Sequence, residues 1–127
     1  MANHSVTPDL ARFIARYIHS VEQLEILFLV GSNPNKSWTS AEVFHEIQSS
    51  ETSVAACLRK FQDEGFLISK EDGSFRYSPS RLAMADMVRE LSIAYRERRV
   101  TIVEMIYNKP PDPLQDFAEA FRFRKDK

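Results

Sequence analysis

The sequence predicts a mainly helical α+β domain in which amphipathic helices surround one small β-hairpin. Three observations predict it. Apolar residues recur at three- and four-residue steps through most of the 127-residue chain, which is the spacing of one helix face. Only three glycines occur, too few for a fold built on tight turns. A single Asp-Gly pair, Asp72-Gly73, stands between two short β-prone runs, the strongest local hairpin signal.

Residues 1–6 read as a loose arm. An added N-terminal helix over 7–19 follows, with Pro8 in its first turn, where a missing N–H costs nothing. Leu10, Phe13, Ile14, Tyr17 and Ile18 form its stripe. Ser20 and Gln23 make a capping box (S-V-E-Q) that opens a second helix. It carries Val21, Leu24, Leu27, Phe28 and Val30 and stops near Gly31. Ser32 to Lys36 is a loop. Thr39 and Glu42 form another box (T-S-A-E), opening a short helix with Val43, Phe44 and Ile47 inward and Trp38 as its apolar staple.

After the break at Gln48-Ser49-Ser50 comes a helix of roughly fourteen residues, an ordinary globular length. Val54, Cys57, Leu58 and Phe61 are its buried stripe, and Gly65 supplies a left-handed C-cap with Phe66 folding back. Strands over 67–71 and 74–78 then flank a two-residue turn at Asp72-Gly73. Pro79-Ser80 ends the hairpin. No Gly or Pro occurs from Arg81 to Tyr107, and Met84, Val88, Leu91, Tyr95, Ile102 and Ile106 recur at helical steps. The segment reads as one long helix of about 27 residues, some 40 Å at the standard rise. The β-branched run at 100–103 leaves a strand open as the alternative. Residues 112–127 read as a short terminal amphipathic helix with Leu114, Phe117, Ala118 and Phe121 on one face, ending in a basic tail.

The 43% hydrophobic content suffices for one core, so residues 1–127 are read as a single domain with residues 20–81 at its centre. The longest apolar run, Ile26 to Val30, is far too short to cross a bilayer, and no leader pattern opens the chain. One cysteine fits a reducing cytoplasm. His4, His19 and His45 are scattered without metal-ligand spacing, and no glycine loop cradles a phosphate. Cys57 lies on an apolar stripe. We therefore expect no catalysis, no cofactor and no metal.

Helix, short helix, break, longer helix, glycine and D-G hairpin follow one another in the order of a helix-turn-helix with a wing. Through T-S-A-E, V-A-A-C-L-R-K-F-Q-D-E-G-F-L and D-G-S-F-R-Y, residues Ser20 to Arg81 resemble the bacterial winged-helix transcriptional regulators, broadly the MarR-like group. The wing is shorter than that group's and lacks its acidic-plus-arginine signature. The resemblance implies duplex DNA as partner, with the helix from Glu51 to Glu64 in the major groove. It places Ser50, Thr52, Ser53, Ala56, Arg59 and Lys60 on that helix, and Lys70 and Arg76 on the wing, against DNA. The hydroxyls at 50–53 serve equally as caps, and the basic residues equally as solvated surface.

Charge argues the other way. The chain has net charge −1, and residues 36–88 hold six basic against eight acidic side chains. Phosphate neutralisation supplies much of DNA affinity. The rival reading is a winged-helix module that binds protein, through the same surface or the Phe-rich C-terminal helix. The long helix suggests a homodimer built on Leu91, Tyr95, Ile102, Ile106, Phe117 and Phe121. The alternative is that the N-terminal helix, with Phe13 and Tyr17, folds back over that stripe.

Overall fold

In the computed structural model, which describes residues 6–108, the chain order is α1 (Pro8–Tyr17), α2 (Val21–Ser32), β1 (Ser37–Trp38), α3 (Ser40–Ile47) and α4 (Glu51–Asp63), then β2 (Leu67–Ser69), β3 (Phe75–Tyr77), α5 (Leu82–Glu97) and α6 (Arg99–Tyr107). Local chemistry fixes the helix starts. The hydroxyls of Thr7, Ser20, Thr39 and Ser50 accept from the backbone N–H three residues on, in α1, α2, α3 and α4 respectively. Each satisfies a donor that has no intrahelical partner. In α3 the box is reciprocal, since Glu42 accepts from the Thr39 N–H at 3.0 Å.

The centre of the core is α2. Leu24, Ile26, Leu27 and Val30 are buried and Phe28 and Leu29 partly so, the pattern of a helix covered on most sides. It packs against α3, α4, α5 and β3. At the end of α4, Phe66 N–H donates to Phe61 C=O at 2.9 Å and Gly65 N–H to Gln62 C=O at 3.1 Å. With Gly65 at φ +95°, this is the double closure of a Schellman turn.

The hairpin differs in detail from its expectation. Its strands are three residues each, and its turn has three residues rather than two. Lys70 N–H donates to Ser74 C=O and Gly73 N–H to Lys70 C=O, at 2.8 and 2.9 Å. A two-residue type I′ turn needs positive φ at both central positions, yet only Gly73 has it. The bulged turn with glycine in the left-handed place suits Asp-Gly as well. A third strand was not foreseen. β1 pairs antiparallel with β3, Trp38 opposite Phe75, giving the order β1-β3-β2.

The expected 27-residue helix is broken. Arg98, at φ −138° and ψ 57°, ends α5 and starts α6. Residues 100–103 are helical, so the strand alternative falls. The break turns α6 back onto α1 and α5, where Ile102 and Ile106 become 0% and 2% exposed and Leu91 0%. Tyr107 Oη accepts from the Val21 N–H at 3.1 Å and ties the end of α6 to the start of α2. This corrects the dimer assignment of Leu91, Ile102 and Ile106. A straight helix would have left their stripe bare, whereas the bent pair buries it within one chain. Tyr95 is half-buried, its ring 5.8 Å from that of Phe28 and under the Arg99 guanidinium. Phe117 and Phe121, with the rest of the expected terminal helix, lie outside the described residues.

Candidate nucleic-acid interface

How α4 is seated decides which of its side chains face outward. Val54, Cys57, Leu58 and Phe61 point into the core. At about 100° per residue, the opposite line of the helix is Thr52, Ala56, Arg59 and Asp63. All four are exposed. Ser50, also exposed, is the helix cap, its Oγ accepting from the Ser53 N–H at 3.2 Å. Thr52, Ala56 and Arg59 thus face solvent.

Ser53 and Lys60 instead occupy the flank of α4 that faces α1 and α2, and both are half-buried. Ser53 Oγ donates to Glu22 Oε1. Lys60 Nζ donates to the Tyr17 carbonyl at 2.6 Å and to Glu64 Oε1 at 3.0 Å. Its ammonium also lies 4.6 Å from the centre of the Phe61 ring. The physical reason is that Tyr17 C=O, at the end of α1, has no intrahelical donor. Lys60 is the cation that supplies one.

Sequence reading assigned nothing to Glu22. It sits in the first turn of α2, and its two carboxylate oxygens accept from Ser49 Oγ and Ser53 Oγ. Those serines are 27 and 31 residues away, so no local pattern could have revealed the contact.

On the hairpin, Lys70 is exposed and Arg76 half-buried. Arg76 lies opposite Ile68 in register, on the sheet face away from Phe75 and Tyr77, which pack on the core. Asp72 Oδ1 accepts from the Ser74 hydroxyl at 2.6 Å and from its N–H at 3.0 Å. These bonds hold the Asp72 carboxyl below its ordinary range, and the wing tip therefore stays anionic. Exposed carboxylates on α3, α4 and the turn are Glu42, Glu46, Glu51, Asp63, Glu71 and Asp72. Arg59, Lys70 and Arg76 stand among them. The lobe has no uniformly positive face.

A cleft of about 260 Å³ lies between α2 and α5, lined by Phe28, Ser32, Tyr77, Val88 and Arg89 among others. Burial raises the Tyr77 hydroxyl above its usual pKa, against the nearby Arg89. Cys57 is 3% exposed, and burial pushes its thiol up to about 12, outweighing the charge of Lys60. It is a core residue rather than a nucleophile. Among the described residues, no three His, Cys, Asp or Glu side chains come together to hold a metal ion, and no helix is long and apolar enough to cross a membrane.

No protein-family model matches the chain, and no curated protein matches it. Among solved structures it is similar to MepR, a transcription regulator of the Staphylococcus aureus multidrug efflux pump MepA. Identity is 11% over 92% of this chain and 84% of that one, with a TM-score of 0.52. ZitR of Lactococcus lactis is 19% identical over 83% of this chain and 70% of its own, with a TM-score of 0.49. The likeness to MepR establishes the fold, which is the winged helix.

Proposed function

We propose that this protein is a DNA-binding transcription regulator that presents α4 to the major groove of duplex DNA and the β2–β3 hairpin to the flanking backbone. One observation carries the reading. The outward line of α4, Thr52, Ala56 and Arg59, is exposed among the described residues, and a short β-ribbon follows it in the chain. Small side chains early in such a helix admit close approach to base edges, while arginine reaches guanine or phosphate. MepR, of the same fold, is a transcription regulator, which supports the reading. No catalytic step belongs to it, and its place is the cytoplasm, consistent with one buried cysteine.

A symmetric operator calls for two copies. With Leu91, Ile102 and Ile106 used inside the chain, the most exposed apolar side chains on α6 are Val100 and Tyr107, 71% and 59% exposed. We place the two-fold contact there. Light scattering at micromolar concentration checks it, and a monomer would remove it.

The test of function is binding to random duplex DNA at two salt concentrations. Arg59, Lys70 and Arg76 provide about three phosphate contacts per copy, hence a log–log salt slope of about −3 for each copy bound. Absence of binding at low salt removes the reading. The exposed carboxylates favour a second one, a winged-helix module that docks a basic protein partner with no DNA contact, and it would then take over.

A further inference from the structure

Glu22 makes a two-pronged contact that neither the fold nor the helix caps require. Its side chain bridges the first turn of α2 to Ser49, just before α4, and to Ser53, inside the first turn of α4. The same turn holds the Ser50 cap and the Val54 N–H bond to Ser50 C=O at 2.9 Å. Further along the same flank, Lys60 anchors α4 to the end of α1. The outward line is thus fixed in pitch and rotation by one polar tie near each end. Both partners are on α1 and α2, outside the short helix pair that would meet DNA.

We propose that Glu22 is a positioning residue for α4: by holding Ser49 and Ser53 it sets the rotation of the first turn, so that Thr52 and Ala56 meet base edges in one fixed register. The proposal rests on the DNA reading above. It predicts that Glu22 governs discrimination between sequences rather than overall affinity, because phosphate contacts from Arg59, Lys70 and Arg76 do not pass through it. Glutamine keeps the shape and can accept from one serine while donating to the other. Alanine removes both bonds.

The experiment uses the full chain as wild type, Glu22→Ala, Glu22→Gln and Ser53→Ala, with two readouts. The first needs no DNA. Amide exchange at Ser53, Val54 and Ala55 accelerates about tenfold in Glu22→Ala and returns towards wild type in Glu22→Gln, while core amides such as Leu27 change only by the global loss, a melting-temperature drop of no more than about 4–8 °C. Unchanged exchange at the start of α4 overturns the proposal. The second compares a tight duplex, selected from a random pool with the wild-type protein, against random duplex. The affinity ratio falls about tenfold in Glu22→Ala and Ser53→Ala and recovers in Glu22→Gln, with the salt slope unaltered. If Glu22→Ala and Glu22→Gln instead raise affinity for every duplex equally, Glu22 acts only as a repelling charge and the proposal fails. Wild type that binds no duplex removes the DNA reading and with it the specificity claim, a result separate from the exchange outcome.

Discussion

Arg59 and Lys60 are neighbours in sequence with opposite surroundings, and replacing each by alanine separates interface from scaffold. Lys60 Nζ bonds the Tyr17 carbonyl and Glu64, and its side chain keeps 23% of its free exposure. A hydrogen bond involving a charged group is worth about 1.5–3 kcal/mol. The Glu64 pair is partly solvated and adds little. Discounted for water that can refill the site, the loss in Lys60→Ala is about 1–2 kcal/mol. For a 127-residue chain, 1 kcal/mol moves the melting temperature by about 4 °C, so the drop is about 4–8 °C. Arg59 is exposed, with no ion pair among the described residues, and Arg59→Ala leaves melting within about 2 °C. On random duplex DNA the order reverses. Arg59→Ala makes the salt slope shallower by about 0.9, and Lys60→Ala leaves it in place. Calorimetry and fluorescence anisotropy at several salt concentrations read both. A melting loss confined to Arg59→Ala, or a slope change confined to Lys60→Ala, would refute the seating of α4 argued above.

Three further expectations concern the scaffold. Cys57, with its thiol pushed up to about 12 from 9.0, stays unmodified by iodoacetamide at pH 8 in the native protein and reacts on unfolding. Because the folded pKa is the higher one, this group's contribution to stability is complete below pH 9 and is lost as pH rises from there towards 12, which urea midpoints across that range would show. Gly65→Ala costs more than Gly73→Ala in thermal melting. Both residues have positive φ, but a Cβ at Gly65 meets Ser80 Oγ at 2.6 Å whereas at Gly73 it meets nothing within 4 Å. The latter costs about 1 kcal/mol. Ile102→Ala, at a fully buried site, lowers stability by about 2–5 kcal/mol by an amount independent of protein concentration. A loss that shrinks at high concentration would instead return Ile102 to a subunit contact.

What the sequence made legible was what neighbouring residues decide among themselves. Thr7, Ser20, Thr39 and Ser50 each act on an N–H three residues away, and Gly65 closes a turn whose acceptors are Phe61 and Gln62. What stayed hidden depends on distant partners. A two-residue strand such as Ser37–Trp38 cannot show an alternation, and only β3 reveals it. Arg98 is neither glycine nor proline, and the stripe from Leu91 to Ile106 keeps helical spacing straight through it. The bend exists because α1 offers Ile102 and Ile106 a buried place. Asp-Gly serves two kinds of hairpin turn, and periodicity does not choose between them. For the candidate site, the centre of the outward line was readable from four buried positions on α4. Its flank was not. Ser53 and Lys60 lie roughly a quarter-turn from that line, where the outcome rests on Glu22 and Tyr17, far off in the chain.

If the protein binds DNA as proposed, the charge of the lobe limits how it does so. On the proposed reading, about three phosphate contacts per copy give weak attraction to arbitrary duplex, so affinity for a true site would come largely from base edges met by Thr52 and Ala56. Asp63 is the sharpest probe of this, since it lies on the same outward line one turn beyond Arg59 and is exposed. If α4 lies in the groove, an acid there faces phosphate, and Asp63→Lys replaces a repulsion by a contact. Binding to random duplex then strengthens about tenfold at low salt, with a slope steeper by about 0.9, while melting moves by under about 2 °C. The gain should be smaller on a selected site, where base contacts already fix the helix. Asp63→Lys protein that binds random duplex no better than wild type would mean that the outward line of α4 does not face DNA. The carboxylates of this lobe would then mark a surface for a basic protein partner.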